Sequence, residues 1–229
     1  MCSSDLAVFK ETRNPEAKAA KEFFSLGRTA AVLGQPAVGA LVLIYFLSIF
    51  AFANFEATLA RFTKEGFGMT DDDNFLVFAA IGGMLMVAGG LYRPLAKRLP
   101  ETRLLATGLV VLMLGFIGIA AVAWLVHREA VTGVAPAGWL RGLFYAASAA
   151  AVAGFAFMNP SVSALISKRA DPARQGEVLG VNQSFASLGR ILGPFAGSML
   201  FAMDPSRTLP YAAAIATLCI VAALLPRAK

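Results

Sequence analysis

Two charged side chains, Glu56 and Arg190, lie inside long apolar stretches of the sequence. A charge in hydrocarbon costs at least about 2.5 kcal/mol, so each is expected to face protein or a water-filled cavity. Glu56, with the amide of Asn54 beside it, could carry a proton or attract a cation. Alternatively, it is an interfacial acid hydrated near lipid headgroups or hydrogen-bonded to a neighbouring helix. Arg190 keeps its proton, so it either contacts a substrate or coupling group or ties two helices together.

Polar residues precede Arg190 in the same apolar stretch. Asn182, Gln183, Ser184 and Ser187 supply amide and hydroxyl groups that hydrocarbon does not tolerate unpaired. We expect these side chains to face the interior of a helix bundle. They are candidate substrate or coupling residues together with Arg190.

A second group of candidates lies near the end of another apolar stretch, at Phe155 and Asn159. Aromatic side chains beside one amide suit an apolar ligand that is bound with loose specificity. Pro160 would break or kink a helix at this point, and discontinuous helices often mark transporter sites. Ordinary packing is the alternative for Phe155.

Two groups of glycines with a spacing of four lie on either side of Arg190, Gly176 with Gly180 and then Gly189 with Gly193 and Gly197. This spacing places them above one another on a helix, where two helix backbones can approach closely. Pro194 removes one helical hydrogen bond and permits a bend. The segment could therefore pack tightly and bend during gating, although plain helix packing explains the glycines as well.

The sequence offers little for catalysis or for metal binding. His127 is the only histidine, no G-x-S-x-G sequence occurs, and clusters of metal ligands and phosphate-binding glycine loops are absent. We therefore expect no enzyme, no catalytic residue, no metal and no cofactor. The net charge of +6 does not indicate nucleic-acid binding, because the basic residues flank the apolar stretches instead of forming one patch.

Composition and spacing predict an all-α membrane protein. Hydrophobic residues make up 58% of the 229 residues and charged residues 15%. They form runs of the roughly 20 residues that cross about 30 Å of hydrocarbon. Residues 1–35 are predicted to be a polar cytoplasmic leader and 36–229 a bundle of six transmembrane helices. The predicted spans are about 37–60, 74–92, 104–126, 139–166, 178–203 and 208–226.

The distribution of Lys and Arg predicts the orientation. One side of the membrane carries 14 of these residues and the other carries five, so both termini are expected in the cytoplasm. Trp124 and Trp139 fit the aromatic belt of the outer interface. We expect a multi-pass protein of the cell membrane, inner or plasma.

Several segments together resemble drug and tetracycline antiporters of the major facilitator superfamily. Residues 46–58 and 67–70, with Phe55-Glu56 and Phe67-Gly68-Met69-Thr70, are similar to the seventh helix and its following loop. Residues 174–201, with Arg174-Gln175-Gly176 and Leu188-Gly189-Arg190, are similar to the eleventh helix. The loop before Arg103 resembles the basic loop between helices eight and nine. Arg93 stands there in place of an aspartate, so that residue's gating salt bridge is not carried over.

The resemblance implies a protein of twelve helices in two halves, with the substrate held between the halves near the middle of the membrane. This chain would be helices seven to twelve, the C-terminal half, and residues 1–35 resemble the linker between halves. It is expected to be an incomplete chain whose partner is the missing N-terminal half, or else a second copy of itself.

The function that the resemblance implies is proton-coupled export of drugs or small amphipathic metabolites by alternating access. The implied partners are the lipid bilayer, a small-molecule substrate and protons. The alternative is a six-span structural or assembly protein without transport activity.

Overall fold

The computed structural model describes residues 26–228, and the regular structure of this part is helical. Its α-helices are α1 (Leu26–Leu33), α2 (Pro36–Phe67), α3 (Asp71–Ala96), α4 (Glu101–Val131), α5 (Gly138–Arg169), α6 (Gln175–Met203) and α7 (Leu209–Leu224). Short 3-10 turns at Pro172–Arg174 and Leu225–Ala228 precede α6 and follow α7. Most of the predicted leader lies outside the described residues, and α1 belongs to its described end.

Six helices, α2 to α7, are long and apolar enough to cross a membrane. The prediction of an all-α fold with six membrane helices is confirmed. With 32 residues, α2 is about 48 Å long and exceeds the roughly 30 Å of the hydrocarbon core. It continues to Phe67, beyond the predicted end near residue 60. The added turns carry exposed Lys64 and Glu65, which suit the membrane surface.

The connection between α2 and α3 is set by local hydrogen bonds. Gly68 adopts a φ of 64°, and its N–H donates to the carbonyl of Lys64 at 3.1 Å. Glycine accepts this left-handed conformation without steric cost, so it ends the helix. Thr70 and Asp73 then form a reciprocal capping box at the start of α3. The acidic first turn of α3 also suits the positive end of the helix dipole.

Helix α2 lies at the centre of the bundle and packs against α5, α6 and α7. Its closest approach is to α6, at three of the glycines with a spacing of four. A Cβ at Gly189 would lie 3.1 Å from the Phe46 carbonyl oxygen, and one at Gly193 would lie 2.7 Å from the Ala53 Cβ. Real Cβ atoms do not approach this closely at Gly193, so only glycine permits the observed helix separation.

The tightest seam in the bundle joins α4 and α5. A Cβ at Gly108 would lie 2.8 Å from the carbonyl oxygen of Gly154, and one at Gly115 would lie 2.7 Å from the Cα of Ala151. This seam was not predicted from the sequence. Its signal was the spacing of seven between Gly108 and Gly115, which places them on nearly the same side of α4.

Three of the described helices, α3, α5 and α6, contain an internal proline, and each is continuous. The sequence suggested a break or kink at Pro160, but α5 continues through it to Arg169, and α6 likewise continues through Pro194. One proline removes one backbone hydrogen bond and leaves the rest of the ladder in place. The hydroxyl of Ser161 adds a bond to the Phe157 carbonyl at 2.7 Å.

Helix α3 is the most peripheral spanning helix. It packs mainly against α5, and Thr63 of α2 donates a hydrogen bond to Asn74 near its start. Phe75, Leu76 and Met86 are 70% to 79% exposed. This apolar surface suits lipid or another membrane helix.

Candidate functional site

The polar residues of α6 divide between two sides of the helix. Asn182 lies on the buried side of α6 that packs into the bundle, whereas Gln183, Ser187 and Arg190 are exposed. Successive helical residues are rotated by about 100°, so the neighbours of a buried residue can point outward. The last three residues are spaced by four and three and therefore share one side of α6. We call them the α6 stripe.

The hydroxyl groups on this exposed side are bonded within the helix. Ser184 is exposed and donates to the Gly180 carbonyl at 3.0 Å, and Ser187 donates to the Gln183 carbonyl at 3.0 Å. Gly180 also faces open space, since no atom lies within 4 Å of where its Cβ would be. Within the described residues, Gly180 therefore makes no close helix contact, in contrast to Gly189, Gly193 and Gly197.

Arg190 lies near the middle of α6, about 20 Å from either end at 1.5 Å per residue. Its side chain is exposed and makes no ion pair or hydrogen bond within residues 26–228. A guanidinium at this depth needs an anion, a carbonyl group or water. Its partner must therefore come from outside the described part of this chain.

Glu56 lies beside an aromatic pair that joins α2 to α5. The ring of Phe52, one turn before Glu56, stacks on Phe155 with centroids 4.0 Å apart and planes within 6°. Glu56 is exposed and has no side-chain partner among the described residues. The exposed carboxylate of Glu56 therefore lies one turn along α2 from Phe52, whose ring is only 6% exposed, while its partner Phe155 is partly exposed.

Asn159 lies on the same side of α5 as Phe155, whereas Asn54 contacts α7. Asn159 lies one turn after Phe155 on α5, and its Oδ1 is buried without a hydrogen-bond partner in the described chain. Asn54 is fully buried and donates from Nδ2 to the Pro210 carbonyl at 3.0 Å, so it ties α2 to α7. We call Phe52, Glu56, Phe155 and Asn159 the α2–α5 site.

The sequence-predicted residues therefore form two groups. One group is the α2–α5 site and the other is the α6 stripe, and no described contact joins them. Asn182 lies within the packing interface of α6, where its buried Oδ1 has no partner among the described residues.

An ion cluster that sequence reasoning missed closes one end of the bundle. Arg207, in the α6–α7 loop, pairs with Glu65 of α2 at 2.8 Å, and Arg61 lies 3.7 Å from Glu65. The guanidinium groups of Arg61 and Arg207 lie 4.8 and 4.7 Å from the centroid of the Phe201 ring. The spacing of four between Arg61 and Glu65 was visible in the sequence, but the contact with Arg207 depends on tertiary packing.

Asp204 organises the same loop. Burial favours a higher pKa for its carboxyl group, but hydrogen bonds outweigh this effect. The donors are the backbone N–H groups of Leu209 and Ser206 and the hydroxyl groups of Ser206 and Thr208. Together they lower the pKa of Asp204 from its ordinary 3.8 to about 2. The charged carboxylate thereby caps the start of α7.

Comparisons with known proteins agree with this architecture. The sequence matches the Major Facilitator Superfamily over residues 6–194. It is 26% identical over 161 residues to major facilitator superfamily domain-containing protein 10 of Mus musculus, covering 70% of this chain and 32% of that protein. It is 29% identical over 191 residues to multidrug resistance protein 1 of Bacillus subtilis strain 168, covering 80% of this chain and 42% of that protein.

The chain thus spans less than half the length of either relative. No solved structure matches it. The family match nevertheless covers most of the chain, and six helices suited to crossing a membrane underlie it. This multi-pass membrane protein belongs to the Major Facilitator Superfamily.

Proposed function

We propose that this chain is the C-terminal six-helix half of a secondary transporter that exports drugs or small amphipathic metabolites in exchange for protons. One observation carries the proposal. Glu56 and Arg190 are charged side chains on spanning helices, and each is exposed and has no side-chain partner among the described residues.

Exposure to lipid would be unfavourable for both groups. Insertion scales give about 2.5 to 3.5 kcal/mol for a charged residue at the centre of a membrane helix. Elsewhere on α6 the exposed residues include Ile191 and Phe195, which are 68% and 70% exposed and suit lipid. The α6 stripe and the α2–α5 site therefore face a second half of the transporter and a water-filled path between the halves.

The α2–α5 site fits an amphipathic substrate. The partly exposed ring of Phe155, which stacks on the buried ring of Phe52, offers an apolar surface, and Asn159 lies one turn further along α5. Glu56 is the proton carrier of this site, because a carboxylate can bind and release a proton whereas Arg190 cannot. Arg190 contacts the substrate or the opposing half.

The orientation and the missing half complete the proposal. The excess of Lys and Arg on one side, 14 against five, supports a cytoplasmic position for both termini. The shares of the two relatives that this chain covers, 32% and 42%, are compatible with one half of a twelve-helix protein. The partner is an N-terminal six-helix half, with a second copy of this chain as the other candidate.

A chimera tests the proposal. This chain replaces the segment that it matches in the Bacillus relative, and the product is reconstituted into vesicles with an imposed proton gradient. We expect gradient-driven transport of one or more dyes from a panel of fluorescent amphipathic compounds. Glu56→Gln should abolish the dependence on the gradient. Arg227→Ala, which removes an exposed charge after α7, should leave transport unchanged.

Two outcomes would contradict the proposed function. A chimera that inserts and folds but transports none of the dyes would favour the structural or assembly role. If the chimera carrying Glu56→Gln keeps full gradient-driven transport, the proton does not travel through this carboxylate.

A further inference from the structure

Four cationic side chains lie together at the turn between α3 and α4, outside both groups of candidate transport residues. They are Arg93, Lys97, Arg98 and Arg103, which we call the α3–α4 cluster. All four are exposed, and none makes an ion pair or a side-chain hydrogen bond within residues 26–228. Backbone bonds keep the turn compact. The N–H of Leu99 donates to the Leu95 carbonyl at 2.8 Å, and the N–H of Arg103 donates to the Pro100 carbonyl at 2.9 Å.

Two cations of the neighbouring connection, between α5 and α6, are paired instead. Lys168 pairs with Glu101, and Arg174 pairs with Glu177 at 2.9 Å. Glu101 is the only acid between residues 93 and 103, and Lys168 already engages it. The tendency of positive residues to collect on one side of a membrane explains how many cations lie here. It does not explain why these two are paired and the α3–α4 cluster is not.

The depth of the cluster follows from the length of α3. Asp73 and Arg93 are 20 residues apart in the sequence. This separation is about 30 Å along a helix, which is the thickness of the hydrocarbon core. If the acidic first turn of α3 lies at one membrane surface, Arg93 and the residues after it lie among the lipid headgroups of the other surface. Lipid phosphate groups are found at this depth.

The cluster also adjoins the exposed apolar side of α3. Met86 is 79% exposed, and Arg93 follows it by seven residues, which returns to nearly the same side of the helix. Lys97 follows Arg93 by four residues and keeps helical backbone angles, with a φ of −77° and a ψ of −22°. One side of α3 therefore offers an apolar surface for acyl chains that ends in two cations for a headgroup.

The chemistry of the cluster selects among headgroups. An arginine guanidinium can donate two parallel hydrogen bonds to one phosphate group, and lysine adds a point charge. A zwitterionic headgroup carries its own ammonium group, which repels further cations. Four unpaired cations therefore favour a phosphodiester whose headgroup has no amine.

We propose that the α3–α4 cluster is a binding site for an anionic phospholipid of the phosphatidylglycerol kind. Arg93 and Lys97 hold the phosphate, the acyl chains lie along the exposed side of α3, and Arg98 and Arg103 add attraction. The site uses none of the residues of the α2–α5 site or the α6 stripe. It requires only that the chain crosses a membrane, so it does not depend on the proposed transport activity.

Mass spectrometry of the intact chain, released from detergent micelles with its bound lipids, tests the proposal. The purified full chain is titrated with phosphatidylglycerol or with phosphatidylcholine that has identical acyl chains, and the complex with one lipid is measured. The test variant combines Arg93→Gln with Lys97→Gln. The control variant combines Arg128→Gln with Arg227→Gln, which removes the same charge from exposed residues elsewhere. Far-ultraviolet circular dichroism reports whether each variant is folded.

We expect the wild-type chain to bind phosphatidylglycerol about 10-fold or more tightly than phosphatidylcholine. Each cation near an anionic lipid contributes a factor of roughly five to binding. The test variant should therefore bind phosphatidylglycerol about 10- to 30-fold more weakly, with its affinity for phosphatidylcholine unchanged. The control variant should keep the wild-type affinity for both lipids. Added salt should reduce the preference for phosphatidylglycerol, because it screens exposed charges.

Four results would overturn the proposal. Equal affinity for the two lipids would show that the headgroup charge is not selected. An equal loss in the test and control variants would assign the effect to net charge and not to the α3–α4 cluster. Displacement of the lipid by inorganic phosphate at the same concentration would identify a site for free anions. A preference that disappears in the chimera with the Bacillus relative would assign these cations to a contact with the other half of the protein.

Discussion

Replacing Gly197 by alanine should loosen the contact between α6 and α2. The added Cβ would lie 2.6 Å from Oδ1 and 2.7 Å from the carbonyl oxygen of Asn54, whereas ordinary van der Waals contacts begin at 3.4 Å. The backbone carbonyl cannot move without α2, so the helices must separate locally by about 0.7 Å. The shift also strains the bond from Asn54 to the Pro210 carbonyl, which measures 3.0 Å.

The expected change in the free energy of unfolding is the sum of opposing contributions. Overpacking costs about 1–3 kcal/mol, and weakening the Asn54 bond adds up to about 1 kcal/mol. The better helix propensity of alanine returns at most about 1 kcal/mol. We expect Gly197→Ala to lower the free energy of unfolding by about 1–3 kcal/mol. At Gly180 a Cβ meets no atom within 4 Å, so Gly180→Ala should be neutral or slightly stabilising.

The assay is reversible unfolding of the purified chain in mixed micelles, followed by far-ultraviolet circular dichroism. The two alanine variants are compared with the wild type under identical detergent conditions. If Gly197→Ala is as stable as the wild type, or if Gly180→Ala loses as much as Gly197→Ala, the argument from close backbone approach is refuted.

Three further predictions concern charged residues. Arg190→Ala should reduce transport by the chimera by about 10-fold or more, which is the effect of losing one charge-assisted hydrogen bond. Membrane insertion should be retained. An equal loss of transport and of insertion would favour a tether between helices. Because its pKa is lowered, Asp204 should contribute stability fully above its ordinary 3.8 and lose it as the pH falls to about 2. Asp204→Asn should reduce this pH dependence in unfolding curves, and an unchanged profile would contradict the assignment. Glu65→Ala should cost about 1 kcal/mol or less, because the side chains of Arg207 and Glu65 remain 30% and 41% exposed and water screens their pair. A larger loss of unfolding free energy would mean that the loop depends on this pair.

The six spanning helices could be predicted from the sequence because the bilayer imposes a local requirement. Each crossing needs about 20 apolar residues with all backbone hydrogen bonds made within the helix, and both conditions can be read along the chain. The same reasoning located Glu56 and Arg190 in spanning segments, since charges stand out in apolar runs. The glycine spacing also indicated a close helix contact, although not its partner.

The contacts of individual side chains could not be predicted in this way. In a soluble helix the polar side reveals which side is buried, but in a membrane helix both the lipid side and the protein side are apolar. The sequence therefore gives little information about the rotation of each membrane helix around its own axis. Only tertiary packing separated Asn54, which is fully buried, from Glu56, which is exposed two residues later.

The same limit applies to the remaining sites. The tertiary structure decided that Gly197 lies against Asn54, whereas no atom lies within 4 Å of the position of a Cβ at Gly180. It also joined Arg207 to Glu65 across 142 positions of sequence. The sequence by itself determined that this chain crosses a membrane six times and where its charges lie. Packing between helices determined which of its polar groups are bonded and which are free to bind, because that choice depends on neighbours distant in the chain.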